Sequence, residues 1–467
     1  MIEISREELE ALTSLGLKGG GDWCDLYFEE SSYSDLLLRD GAVSSGGFHV
    51  DAGCGVRVLC GEKTGYAYTE STSPQALREA VRSAASISYG SAQSGGSRFR
   101  PVSTPMAGPG FYPAKEDWRT TPPARFVPWL ERLESEIRRR DTRVEKVIAM
   151  LSDQVSDILM FNSLGELTRD SRPLFSISVS VIFKQGERTE TISASRSYRG
   201  GAEMLSERLL QEVAALAVQG IDERFAARRP KGGKMSVVMG SGASGILLHE
   251  AMGHAFEADF NRKGQSIFSE KMGKRICRPG INIVDDGTVP GGRGSLNFDD
   301  EVVPGQRTVM VEDGVLVSYL HDRISAAHYG VAPTGNGRRE SFRYNPLPRM
   351  RSTYMESGQD GSAEDIIRSV RKGIYVDSFS NGQVKIGEGD FTFFVRSGFL
   401  IEDGCLTMPV KDINIIGNGP RALADITAVA SDLRIDDGAW TCGKEQNVPV
   451  SCGIPTVLVE GLTVGGE

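Results

Sequence analysis

Short runs that alternate apolar with polar residues, each closed by glycine, recur along this chain. CDLYFEES, DLLLRDGAVSS and GVRVLC lie near the amino terminus, and KVIAML and FSISVSVIF further on. Alternation with period two turns one face of a strand to a core and the other to water, and glycine supplies the turns between. The 55 glycines thus imply many turns and closely packed strands. Helical periodicity is confined to Arg6–Leu17, Ser73–Ala85, Ala124–Arg140 and Met204–Phe225, with one clear helix around His249 and a weaker one at Ala363–Arg371.

A chain of 467 residues exceeds what one core usually supports. The expected division is an N-terminal α+β domain at 1–98, a Gly/Pro/Ser-rich linker at 99–125, a middle α+β domain at 126–228 and a C-terminal domain at 229–467. Helix and strands follow one plan in the first and third of these, so a weak duplication is expected. The fold class is α+β: an N-terminal α/β sheet region, a middle α+β region, and a C-terminal, mostly antiparallel β domain carrying a candidate metal-binding helix.

Composition narrows the function. The net charge of -9 and the sequence pI near 5.4 argue against a general nucleic-acid binder, which needs a basic face to displace counterions. The first residues are acidic where a secretory signal would be basic, and no apolar stretch reaches about 20 residues, so a cytoplasmic protein without a membrane span is expected. Seven cysteines scattered through a long chain read as reduced thiols, with one as a possible metal ligand.

The string KMSVVMGSGASGILLHEAMGHAFEADF reads as a strand, a glycine turn and an amphipathic helix. His249 and His254 flank Glu250, the residue types of a zinc peptidase in which two histidines bind metal and a glutamate acts on the bound water. The histidines are five apart rather than four, which on an ideal helix separates them by about 140°. A local distortion is required to bring them together, and a π-bulge at Gly253 is the expected one. Gly240-Ser241-Gly242-Ala243-Ser244-Gly245 also matches the GxGxxG turn of a dinucleotide-binding oxidoreductase. That rival lacks the second parallel strand it needs, and Asp259 lies just past the same helix. The third metal ligand is open at this point: Glu257 or Asp259 would complete a two-histidine, one-carboxylate site.

From LLHEAMGHAFEADFNRKG onward the sequence resembles the TldD/PmbA family, specifically its metal-binding TldD branch. VDDGT, RGSLNFDDE, TGNGRRES, PLPRMRSTYM, FSNGQVKI and TCGKEQNVPV carry the likeness across most of residues 230 to 467. The resemblance implies a zinc metallopeptidase of the HExxxH type, with one Zn2+ per chain held by His249, His254 and the distant Cys442. It also implies Glu250 as general base toward a zinc-bound water nucleophile. Cys24, Cys54, Cys60, Cys277, Cys405 and Cys452 have no such claim and are expected to pack.

Tyr354, Arg338 and Arg339, within the family-like segments, have the chemistry to bind substrate or an oxyanion. His321 and His328 are expected to be structural. Family likeness further implies hydrolysis of unstructured peptides, or processing of small peptide precursors, inside a homodimer or a heterodimer with a PmbA-like (TldE) subunit. The competing reading is a non-catalytic scaffold or partner subunit of a peptidase complex. No helix-turn-helix, zinc finger or basic stripe supports direct DNA contact.

Overall fold

The computed structural model describes residues 3–89, 99, 108–385 and 387–466. Its amino-terminal half is built on one six-stranded sheet. Helix α1 (Arg6–Leu17) is started by Ser5, whose hydroxyl accepts from the Glu8 N–H, and buries Leu9 and Leu12. Strands β1 (Trp23–Arg39), β2 (Ala42–Cys60) and β3 (Lys63–Thr69) follow, then α2 (Pro74–Tyr89), α3 (Val127–Arg140), β4 (Val144–Asn162), β5 (Leu167–Gln185), β6 (Arg188–Tyr198) and α4 (Glu207–Leu216).

The strand order is β3-β2-β1-β4-β5-β6, antiparallel throughout. The first and second helix-and-strand segments therefore share a single sheet through β1 and β4. Two cores lie along it. Leu9, Leu12, Leu77 and Val81 of α1 and α2 pack with Leu26, Phe28 and Val56. Leu130, Leu133, Leu209 and Val213 of α3 and α4 pack with Leu38, Leu151 and Ile177.

Two sequence expectations shift here. Met204–Phe225 is not one helix: α4 begins after its cap Ser206, and a separate short helix, Ile221–Ala226, starts after Gly220, whose φ of 74° ends any continuous helix. Part of the expected linker, residues 100–107, lies outside the described residues. Residues 108–125 are anchored, because Tyr112 donates to Asp170 (2.6 Å) and Trp118 to the Gly200 carbonyl (2.8 Å) from buried positions.

The carboxyl-terminal half holds two further large sheets. One has seven strands, among them Gly233–Met239, Lys372–Val384, Asp390–Glu402 and Val457–Gly465, with a single parallel pair between the first two. The other has six, including Ile283–Asp286, Ser352–Met355 and Ser451–Ile454. A mixed α+β fold with a mostly antiparallel C-terminal region is what the alternation implied. The helix around His249 is not alone, however. Ala258–Arg262, Arg323–Tyr329 and Gly419–Ala424 are also helical, and at five to seven residues they are too short to show a periodic signal.

Candidate metal centre

The site begins at the strand Gly233–Met239, which runs through a glycine turn into the helix Gly245–Ala251. The turn is stitched to both sheets: the Gly240 N–H donates to Val376 and the Gly242 N–H to Ile454. A side chain at Gly245 would come within 2.8 Å of the Gly453 backbone, so glycine lets the helix lie directly on the strand Ser451–Ile454. These glycines serve a tight helix-on-sheet approach. The strand they follow is flanked by Lys372–Val384 and Val457–Gly465, both far along the chain, rather than by a following βαβ strand.

The distortion that the five-residue histidine spacing demands is not a π-bulge. The α-helix stops at Ala251, Met252 takes φ -130° and ψ -41°, and Gly253–Phe256 continues as a 3-10 turn. The break at Met252 reorients the turn that follows it, and the rings of His249 and His254 meet edge to face with centroids 5.4 Å apart. Gly253 is where the chain crowds its neighbour: a Cβ there would lie 2.3 Å from Met350 Sδ.

Cys442 arrives on the hairpin Thr441–Lys444/Gln446–Pro449. Its Sγ lies 3.3 Å from His254 Nε2, and ligand atoms of His249, His254 and Cys442 all fall within 4.8 Å of one another. All three residues are at most 3% exposed, and among the described residues neither ring nitrogen of His249 has a geometric hydrogen-bond partner. Burial alone would raise the Cys442 thiol, but the charges of His249 and His254 beside it overcome that and hold it at about 4. A thiolate and two imidazoles, one with orphaned nitrogens, form a donor set that fits Zn2+. Glu250 is the most open member of the group, its side chain 32% exposed and its Oε2 3.8 Å from His254 Nε2.

Behind the donors lies a charged layer that sequence reasoning did not find. Glu257 Oε2 sits 2.8 Å from His254 Nδ1 and 3.1 Å from Lys444 Nζ, and Lys444 also donates to Asp259 (2.8 Å). Glu257 and Asp259, the alternative ligands, are thus directed to His254's far nitrogen and to a lysine. Although burial works against it, the charges of Lys444, His254 and Arg349 hold the Glu257 carboxyl down at about 2. Arg349 donates to the Cys442 carbonyl (2.7 Å) and the Gln446 carbonyl (2.8 Å), bracing the hairpin. Lys444, two residues beyond Cys442 on an alternating strand, was the one available sequence signal, since period two puts both on the same face.

The other named residues lie elsewhere in the bonding network. The Tyr354 hydroxyl donates to Asp286 (3.1 Å). Arg338 donates to the carbonyls of Met350 (2.6 Å) and Pro449 (2.8 Å), and Arg339 to Tyr66, Asp25 and the Asp300 carbonyl. His321 is buried, which pushes its imidazole down to about 4, and His328 pairs with Glu62 at 2.6 Å. Of the remaining cysteines, five are buried, while Cys405 is exposed rather than packed.

A buried pair of histidines and a thiolate beside an accessible carboxylate has the make-up of a metal-dependent hydrolase centre. Family models agree along the chain. The PmbA/TldA metallopeptidase domain 1 matches residues 24–88, the central domain 116–221 and the C-terminal domain 232–466. The chain belongs to the TldD/PmbA metallopeptidase family. It is 40% identical to a metalloprotease TldD homolog of Haemophilus influenzae over 95% of this chain and 93% of that one. It is 31% identical to a metalloprotease of Methanothermobacter thermautotrophicus over 95% and 96%. The fold resembles that of TldE from Thermococcus kodakarensis, with a TM-score of 0.76 and 21% identity over 98% of this chain and 100% of that one. Among the described residues no helix is long and apolar enough to cross a membrane.

Proposed function

We propose that this chain is a zinc-dependent peptidase in which His249, His254 and Cys442 hold one Zn2+ and Glu250 is the general base. The observation that carries the reading is the meeting of Cys442 with His254, 188 positions apart, in a buried donor set next to the partly exposed Glu250 carboxylate. His249, His254 and Cys442 would hold zinc with three protein donors, one fewer than a closed structural zinc site uses. Zinc supplies Lewis acidity there, easing proton loss from water and polarising the scissile carbonyl.

The protein's own groups do the rest. Glu250 takes the proton of the attacking water and passes it to the departing amine. Glu257 accepts the Nδ1 proton of His254 and so leaves Nε2 bare toward the metal. Lys444 and Arg349 keep Glu257 ionised in that role. The donors are buried and only Glu250 is partly open, an arrangement that favours extended, unstructured peptides over folded domains as substrates. Assembly as a homodimer or with a TldE-like subunit belongs to the same reading.

The test is zinc content by elemental analysis of the wild type, His249→Ala and Cys442→Ala, with hydrolysis of an unstructured peptide in parallel. About one zinc per wild-type chain, lost in both variants, together with peptide cleavage, supports the proposal. A wild-type chain that stays metal-free after reconstitution overturns it.

A further inference from the structure

A cavity of about 280 Å³ lies between the amino-terminal sheet and the Cys442 hairpin, and five arginines line it against three carboxylates. Two of the arginines are already neutralised. Arg172 pairs with Asp170 (2.9 Å) and Asp300 (2.5 Å), and Arg339 with Asp25 (3.3 Å). The carboxylates are spoken for as well: Glu29 accepts from Ser31 and the Phe342 N–H, and Glu340 from the Asn447 N–H.

Arg199, Arg293 and Arg338 differ. Each is more than nine-tenths buried, and none has a carboxylate at ion-pair distance among the described residues. Arg199 donates to the carbonyls of Arg293 and Pro173, and Arg293 to the Trp440 carbonyl and the hydroxyls of Ser176, Ser197 and Thr441. Among the described residues Arg338 has the two carbonyls already described as acceptors, and its Nε has no hydrogen-bond partner. Neutral acceptors satisfy geometry but not charge, and buried guanidinium groups without an anion are costly to keep. Burial, with mutual repulsion among the arginines, holds Arg199 and Arg293 down at about 10.

The cavity also adjoins the metal centre in sequence. Thr441, which takes the Arg293 hydrogen bond, immediately precedes Cys442, and the lining residue Val448 pairs with Cys442 across the hairpin. Exposed Glu340, Thr441 and Asn447 mark its mouth.

We propose that this cavity binds a carboxylate of the peptide substrate, with Arg199, Arg293 and Arg338 as the receiving cations, so that the enzyme selects acidic peptides or acidic peptide ends. Guanidinium groups match carboxylates in shape and charge, and binding would bring an anion to ion-pair distance of these arginines. The proposal takes its ligand from the peptidase reading above, and its test is therefore made on binding rather than turnover.

The full-length, zinc-loaded Glu250→Gln chain is titrated with a labelled unstructured decapeptide in three forms: free acid with one internal Glu, the C-terminal amide, and the Glu→Gln form. Fluorescence polarisation reads affinity. At least tenfold weaker binding on loss of one carboxylate is expected; amidation reveals a terminal carboxylate and Glu→Gln a side chain. Arg293→Gln abolishes the difference, and Arg293→Lys restores part of it. Zinc content and melting temperature report folding, and Arg199→Gln gives the same reading if Arg293→Gln does not fold. Equal affinity of all three forms, no binding of any, or an unchanged ratio in the folded variants overturns the proposal. So does inorganic phosphate that binds saturably in the cavity without displacing the peptide. Wild-type cleavage of the same peptides is scored separately, so the peptidase reading survives or fails independently.

Discussion

Glu257 and His254 are joined by a contact of 2.8 Å between Oε2 and Nδ1, and both are buried. That contact chooses which imidazole nitrogen faces Cys442. Replacing Glu257 with Gln allows the ring to turn or change tautomer, and zinc affinity should fall by about 10- to 100-fold. Competition with a chromogenic chelator measures this; unchanged affinity would show that His254 is oriented by packing alone.

Glu250→Gln should keep its zinc while turnover drops by about 10²- to 10⁴-fold, the usual contribution of a general base. Metal analysis and peptide cleavage on the same sample separate the two effects. Substantial cleavage by the zinc-loaded variant removes Glu250 from the role.

Acid sensitivity of the zinc-free chain follows from Glu257. Its folded carboxyl titrates at about 2 against an ordinary 4.5, so the unfolded state binds the proton first as pH falls. The stabilisation is complete above about pH 4.5 and is lost progressively as pH falls toward about 2, on the order of 3 kcal/mol in all. Denaturant melts between pH 6 and pH 3 should show this decline. In Glu257→Gln the slope should flatten.

Gly245→Ala should destabilise the chain by about 1–3 kcal/mol, because the added methyl meets the Gly453 backbone and not a side chain that can rotate away. The helix would be lifted from its strand, and zinc affinity would fall with it. Thermal melting and chelator competition on one preparation check both; a loss of stability with intact zinc binding would uncouple helix seating from the site.

What could be read from the sequence follows the range of the interaction. Periodicity marked α1, α2 and α3 because each shows several turns of one apolar face, and it missed Ala258–Arg262 and Gly419–Ala424 because they show barely more than one. His249, Glu250 and His254 stood out through local spacing, and the need for a distortion between the histidines was legible too. Its form was not: the break at Met252 depends on tertiary packing, where Gly253 lies tight against Met350. Cys442 was reachable only through family likeness, since nothing local joins residues 188 apart. Glu257 was visible only as an alternative third ligand, because its neighbours Lys444 and Arg349 come from distant segments.

The pairing of β1 with β4 runs in unbroken register from Asp25 with Asn162 to Arg39 with Ile148. Among the described residues each strand is the other's hydrogen-bonding neighbour on that side. A fragment that stops before residue 144 leaves the whole inner edge of β1 open, and one that starts after residue 39 does the same to β4. Both would present long, regular rows of unpaired backbone groups, the kind of edge that recruits other chains. During synthesis β1 must likewise wait, its edge uncovered, until α2, α3 and β4 have all emerged. The vulnerable moment for this protein therefore comes early in its making, far from the residues that carry its chemistry.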